Sequence, residues 1–249
     1  VGFDSDGEPW AQVGSAIDFS GLGTGVYLGS ATGIIVNGQI TFADGNYRFA
    51  GYNGGGMDVQ RMLSGAASVA IGDPKSRATF LGTDDTYSTV ILSGTNSYTG
   101  GTDFYAGLLV LGGEDPADAL GDSSSPLRVQ PNNFSEDGSR YLEVGASIAT
   151  IPNPVQLNAE LMVNTENYFQ TITLGGIISG LGELCKMGEG TLVLAGANTY
   201  SGGTYVTQGQ LTIGHANAMG TGPVGLGGPA GPVLYLATSA TINGIYADN

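Results

Sequence analysis

Residues 89–112 (TVILSGTNSYTGGTDFYAGLLVLG) return as residues 191–214 (TLVLAGANTYSGGTYVTQGQLTIG), and the intervals from Asn96 to Asn198, Tyr98 to Tyr200 and Gly107 to Gly209 are all 102 residues. Similarity at a fixed interval marks stacked supersecondary units, each of which buries its apolar side only against a neighbour. The chain is therefore read as a solenoid, and its function as the property of a surface.

Inside each copy, apolar residues recur at every second position in short bursts, as in Leu192 and Leu194 or Leu211 and Ile213. That is the period of a half-buried strand. Glycine-rich turns separate the bursts: Gly100-Gly101 and Ala106-Gly107 in the first copy, Ser201-Gly202-Gly203 and Gln208-Gly209 in the second. A shorter interval lies within each copy, because Leu92 to Leu111, Leu194 to Ile213, Asn96 to Asp115 and Asn198 to Asn217 are each 19 residues. Nineteen residues are read as one coil of about three strands, with coils stacked roughly 4.8 Å apart. The expected product is a parallel β-helix with a core of aliphatic columns.

Composition agrees with that reading. The 44 glycines and 10 prolines are scattered between runs of Val, Ile, Leu, Thr and Tyr, and 41% apolar content is enough for a core. The 22 acidic and 7 basic residues give a formal net charge of −15, which disfavours nucleic acid and anionic membranes as partners. No apolar run approaches the roughly 18 residues of a spanning helix, so no membrane insertion of this segment is expected. The opening VGFDSDGEPW has no basic and apolar leader pattern, and the absence of an initiator Met suggests a mature or excised segment. The single Cys185 has no internal disulfide partner and is expected to be buried and inert, the alternative being a route to intermolecular pairing.

Looser similarities extend the pattern. Val26-Tyr27-Leu28-Gly29-Ser30, Tyr141-Leu142-Glu143-Val144-Gly145 and Leu234-Tyr235-Leu236-Ala237-Thr238 share a Tyr-Leu start. One β-helix over residues 1–249 is expected, with a first cassette at 26–112, a second at 141–214 and the start of a third at 215–249. Residues 113–140, rich in Asp, Ser and Pro, are read as a protruding loop. Asn96, Tyr98, Gly100 and Gly101, with Asn198, Tyr200, Gly202 and Gly203, form the expected structural turn motif. Asn satisfies backbone groups at a sharp corner and tolerates left-handed backbone, while the tyrosines either pack over the turn or offer a ring face to sugar.

The string Gly190-Thr191-Leu192-Val193-Leu194-Ala195-Gly196-Ala197-Asn198-Thr199-Tyr200-Ser201-Gly202-Gly203-Thr204, followed by Gly209-Gln210-Leu211-Thr212-Ile213-Gly214 and Ala216-Asn217-Ala218-Met219-Gly220, strongly resembles the passenger-associated strand repeat of autotransporter proteins. The first copy departs from it with Ser88 in place of the opening Gly and with Pro116-Ala117-Asp118-Ala119-Leu120-Gly121 at its end. The resemblance implies a right-handed parallel β-helix exported across the envelope of a Gram-negative bacterium, displayed on the cell surface or released extracellularly. It implies no particular activity, since passengers include adhesins, biofilm factors and enzymes. No tandem series of alternating strands resembling an outer-membrane barrel closes the sequence.

Catalytic chemistry is poorly supplied. His215 is the only histidine and follows Gly214 at a coil exit, so neither a Ser/His/Asp site nor a zinc site is expected. Carboxylates cluster at Asp4/Asp6/Glu8, Asp84/Asp85, Glu114/Asp115/Asp118/Asp122 and Glu136/Asp137, which are read as solvated turn residues. Calcium, which takes hard oxygen ligands, is the minority reading for Asp4-Ser5-Asp6-Gly7-Glu8; otherwise no cofactor is expected. Two hypotheses follow. The favoured one is a non-enzymatic structural or adhesive segment that meets further copies end to end, or a surface polysaccharide or host matrix ligand. Its competitor is a carbohydrate-active enzyme, which needs two or three carboxylates converging in a groove on neighbouring coils.

Overall fold

In a computed structural model, which describes residues 2–3, 10–51, 54–75, 88–132, 139–228 and 231–248, the chain winds as a parallel β-helix. Successive strands pass from one face to the next, so each pairs with a strand of the adjoining coil, and every strand pairing is parallel. One face is an eight-stranded sheet, the second an eleven-stranded sheet; the third holds a five-stranded sheet and two earlier two-stranded ones. The one regular helical element among the described residues is a 3-10 turn at Pro116–Asp118. No helix of the described residues is long and apolar enough to cross a membrane.

The alternation in sequence becomes columns in space. On the eleven-stranded sheet Ile34, Met57, Val90, Leu109, Leu142 and Val163 lie in register, all pointing inward and all buried. Beside them run Val36, Val59, Leu92, Leu111 and Val144. The eight-stranded sheet contributes Leu28, Phe49, Ile71, Phe104, Val129 and Leu157, and the five-stranded sheet contributes Ile172, Leu192 and Leu211. Each such side chain removed from water stabilises the fold by roughly 1.5–3 kcal/mol, so the stack coheres without a disulfide.

Leu92 lies directly over Leu111, and Leu194 over Ile213, so 19 residues make one coil at both copies. Other coils are longer. Val59 pairs with Leu92 and Leu111 with Val144, each 33 residues apart. The interval from Asn96 to Asp115 is not a coil step: the Asn96 backbone N–H meets the Asp118 carbonyl at 3.1 Å, because the 3-10 turn adds three residues to the first copy. Nor are residues 113–140 simply a protruding loop. They supply the buried Ala119 and Leu120 and the strand Leu127–Val129 of the eight-stranded sheet, an alternation diluted in the sequence by its Ser, Asp and Pro neighbours.

The two copies also stand on different faces. Thr89–Leu92 and Gly107–Leu111 belong to the eleven-stranded sheet, whereas their counterparts Thr191–Leu194 and Gln210–Ile213 belong to the five-stranded one. Thr102–Phe104 lies in the eight-stranded sheet and its counterpart Thr204–Val206 in the eleven-stranded sheet. The interval of 102 residues is therefore a whole number of coils plus one face, and the repeated motif has been turned about the helix axis.

Candidate functional site

The repeated corner is built alike in both copies. Asn198 Oδ1 accepts from the Ile178 N–H of one neighbouring coil at 2.8 Å, and its Nδ2 donates to the Ala218 carbonyl of the other at 2.7 Å. Asn96 makes the same two bonds, to Leu63 N–H and the Ala119 carbonyl, both at 2.8 Å. Three coils are thereby tied by one buried amide, which satisfies a donor and an acceptor that the bend removes from strand ladders.

Two residues on, Tyr200 and Tyr98 turn wholly inward. Their hydroxyls bond to Thr204 and Thr102, and burial pushes the Tyr200 phenol up to about 12 and raises that of Tyr98 as well. Neither ring offers a face to sugar. In the glycine pairs, Gly100 and Gly202 lie against neighbouring backbone, where a Cβ would meet the Ala67 and Gly182 carbonyl oxygens at 2.5 and 2.3 Å. Gly101 and Gly203 have φ of 82° and 97°, a region that side chains resist.

Sequence reasoning missed part of this corner. Thr102 and Thr204 complete it as partners of the tyrosine hydroxyls, and Gly121 and Gly220 roof it, with positive φ and each close against its tyrosine. The threonines keep the interval of 102 residues, whereas the two glycines are 99 apart, three fewer than the rest of the copy.

The described acidic residues mostly serve local turns. Asp115 accepts from Ala117 N–H at 3.0 Å, Asp122 from Ser124 N–H at 2.9 Å, and Asp18 from Ser20 N–H at 2.8 Å. Asp44 pairs with Arg48, whose hydrogen bond holds the carboxyl well below the usual carboxylate range. His215 Nδ1 accepts from the Asn217 N–H at 3.0 Å, closing its turn. Among the described residues no group of three His, Cys, Asp or Glu side chains is placed to hold a metal ion. Asp4, Asp6, Glu8, Asp84, Asp85, Glu136 and Asp137, including the calcium candidate, lie outside the described residues.

Two carboxylates do meet on neighbouring coils. Glu143, on the outer face of the eleven-stranded sheet, accepts from Asn164 Nδ2 at 2.6 Å. Its acidity is weakened by burial, and the charge and hydrogen bond of Glu166 raise its pKa further against the lowering effect of Asn164. Glu143 and Glu166 line one side of a groove of about 160 Å³ with Asn167 and Gln170.

Lys186 and Cys185 are also buried. Lys186 occupies the inward column between Val163 and Val206, and its ammonium donates to the carbonyls of Met187, Gly188 and Gln208 at 2.8, 2.7 and 3.0 Å. Burial brings its pKa down to about 8. The neighbouring Cys185 is a free, buried thiol, pushed up to about 12 by burial and then by Glu160 and Glu183, which removes the thiolate that reactive cysteines need.

A parallel β-helix with repeated, sealed corners defines a scaffold whose outward columns form its surface. The passenger-associated-transport-repeat family matches residues 87–111 and 184–213, the segments that form these corners. Over 152 residues, 58% of the chain, the sequence is 33% identical to the adhesin BmaC autotransporter of Brucella suis biovar 1 (strain 1330). The chain spans a small part of that relative, 4% of its length. No solved structure matches significantly. The repeats and the relative support an autotransporter passenger segment with a surface passenger role, and with it a surface-exposed or secreted location.

Proposed function

We propose that the chain is a non-enzymatic, adhesive and structural segment of a bacterial surface protein, working as a rigid spacer whose outward columns make contact with a polysaccharide or host matrix ligand. Its similarity to an autotransporter named as an adhesin carries this reading. The test is adhesion itself: beads coated with the purified segment are compared with albumin-coated beads for retention on host cells and on extracellular matrix. Retention above the albumin control is expected, and equal retention would contradict an adhesive role.

End-to-end contact is the proposed mode of self-association. Ile245, in the last described strand of the eleven-stranded sheet, stands in register with the buried Val224, an inward apolar position on which a further coil, of the same protein or of another copy, would stack. An unpaired strand edge with apolar inward positions is a template for another strand. Sedimentation showing only monomers at high concentration would refute fibre assembly.

A second reading rests on Glu143 and Glu166. Carboxylates held together, one with a raised pKa, are the means by which a glycosidase separates acid from base. Release of reducing ends or unsaturated sugars from a polysaccharide panel, lost in Glu143→Gln, would replace the adhesive reading with an enzymatic one.

A further inference from the structure

Trp10 is the only tryptophan in the chain and the only non-glycine residue with positive φ among the described residues, at 62°. A backbone conformation that a bulky side chain resists persists only where its surroundings hold it, and such outliers gather at ligand sites. The surroundings here are two glycines. Trp10 precedes Ala11, which pairs with Ile34, so it stands in line with Gly33 and, one coil further, with Gly56. A Cβ at Gly33 or Gly56 would come within 3.1 or 3.0 Å of the indole. The ring therefore lies over bare backbone across two strands of the eleven-stranded sheet, while remaining 40% exposed. Beside it opens a groove of about 340 Å³ whose other lining includes Thr32, Thr89 and Ile91, with no charged side chain among the described residues.

We propose that Trp10 and this groove form a carbohydrate-binding site for an uncharged pyranose unit of a polysaccharide. The apolar C–H face of a pyranose presents hydrogens of slight positive charge, which complement the negative face of an indole. A pocket with an aromatic platform and a few polar groups at its edge suits a ring that is apolar on its faces and hydroxylated around its rim. Charge selects among glycans: the described lining is uncharged and the chain carries −15, so a uronate polymer would approach against repulsion.

The outward column that begins at Trp10 also indicates how a longer glycan would lie. In register along it come Gly33, Gly56, Thr89, Leu108 and Tyr141, and Tyr205, Gly225 and Tyr246 follow on later coils. Tyr205 and Tyr246 both fold toward Gly225, where a Cβ would meet their rings at 2.4 and 2.6 Å. Rings laid over glycine thus occur near both ends of the column, so the glycan is assigned a path along the helix axis, anchored at Trp10. Aromatic cover of a glycine also supports a strand, which is why the test must read binding rather than stability alone.

The lone tryptophan makes the site its own reporter. Cellohexaose, mannohexaose and β-1,4-galactohexaose are titrated into the intact chain while indole emission is followed, with hexagalacturonate as the charged control. At least one neutral hexaose is expected to give a saturable blue shift, and the uronate to bind at least ~10-fold more weakly. Calorimetry on Trp10→Ala should show that binding is lost, and on Trp10→Phe that much of it is kept. Ile91→Glu, at the groove wall on an outward position, should weaken binding with the indole in place, and circular dichroism identifies any variant that has unfolded. No emission change with any neutral hexaose, or binding unaltered in both folded Trp10→Ala and Ile91→Glu, would overturn the site. The site rests on the adhesive reading for its ligand class; bead adhesion without sugar binding would remove the site and leave that reading standing.

Discussion

Asn96 and Asn198 make the same pair of buried hydrogen bonds to the coils on either side, yet the strands that lead into them, Thr89–Leu92 and Thr191–Leu194, lie on different faces of the helix. The motif is thus a self-contained corner, usable on any edge of the solenoid. Its residues face inward or against backbone, so they build the coil.

Removing the clamp should be costly. Asn198→Ala leaves the Ile178 N–H and the Ala218 carbonyl without their side-chain partner, and a loss of about 2–4 kcal/mol is expected. Urea denaturation of the two proteins measures it, and Asn96→Ala should match it on the other corner.

The tyrosine plug separates packing from hydrogen bonding. Tyr200→Phe keeps the ring and loses only the bond to Thr204, so a loss of about 1 kcal/mol is expected. Gly220→Ala should cost at least about 1 kcal/mol, because φ is 61° and a Cβ there would meet the Tyr200 carbonyl oxygen at 2.3 Å. Thermal unfolding followed by circular dichroism ranks the two.

Lys186 should leave a signature in alkali. Its folded pKa of about 8 is below the ordinary 10.5, so the unfolded chain binds more protons between those values and stability rises with pH across that window. Wild type should therefore gain stability relative to Lys186→Met from pH 8 to 10.5. At pH 7 the variant is expected to lose about 1–3 kcal/mol, since the Gly188 and Gln208 carbonyls lose their ammonium donor. Urea midpoints for both proteins across this range give the comparison.

Glu143 titrates with the opposite sense. Its folded pKa is raised above 4.5, first by burial, so its contribution is complete below 4.5 and is lost as pH rises through the folded value. Wild type should gain on Glu143→Gln as pH falls from 7 towards 4.5, and at pH 7 the variant should be at least as stable as wild type. The difference in urea midpoint, taken at each pH, reads this directly.

Much of the fold was legible in the sequence because stacking makes each coil repeat an apolar pattern. The 19-residue step from Leu92 to Leu111 is visible as a spacing before it is seen as a register pair. The rotation of the second copy was not legible, because a motif specifies the shape of its own coil, while the lengths of the intervening coils decide which face it reaches. Residues 127–129 were concealed by turn-forming neighbours. Lys186 gave no sign of an inward position except that Leu184, two residues earlier in the same strand, also points in. The Glu143–Glu166 pair joins residues 23 apart with no shared motif, so only the stacking of coils brings them together.

The rotation of the motif is tested most directly by the position of Tyr205. On the eleven-stranded sheet it pairs with Cys185, whereas its counterpart in the first copy, Asp103, lies on the eight-stranded sheet in the column of Arg128, Gln156 and Ser179. Adjacent strands lie roughly 4.8 Å apart, within the range of Cα separations a disulfide spans. Oxidation of Tyr205→Cys at alkaline pH, which restores the thiolate that burial withholds from Cys185, should close an intrachain disulfide between positions 185 and 205, located by peptide mass spectrometry. The variant combining Tyr205→Cys, Ser179→Cys and Cys185→Ser should remain reduced. A disulfide between positions 179 and 205, with none between 185 and 205, would contradict the rotation and place both copies on the same faces.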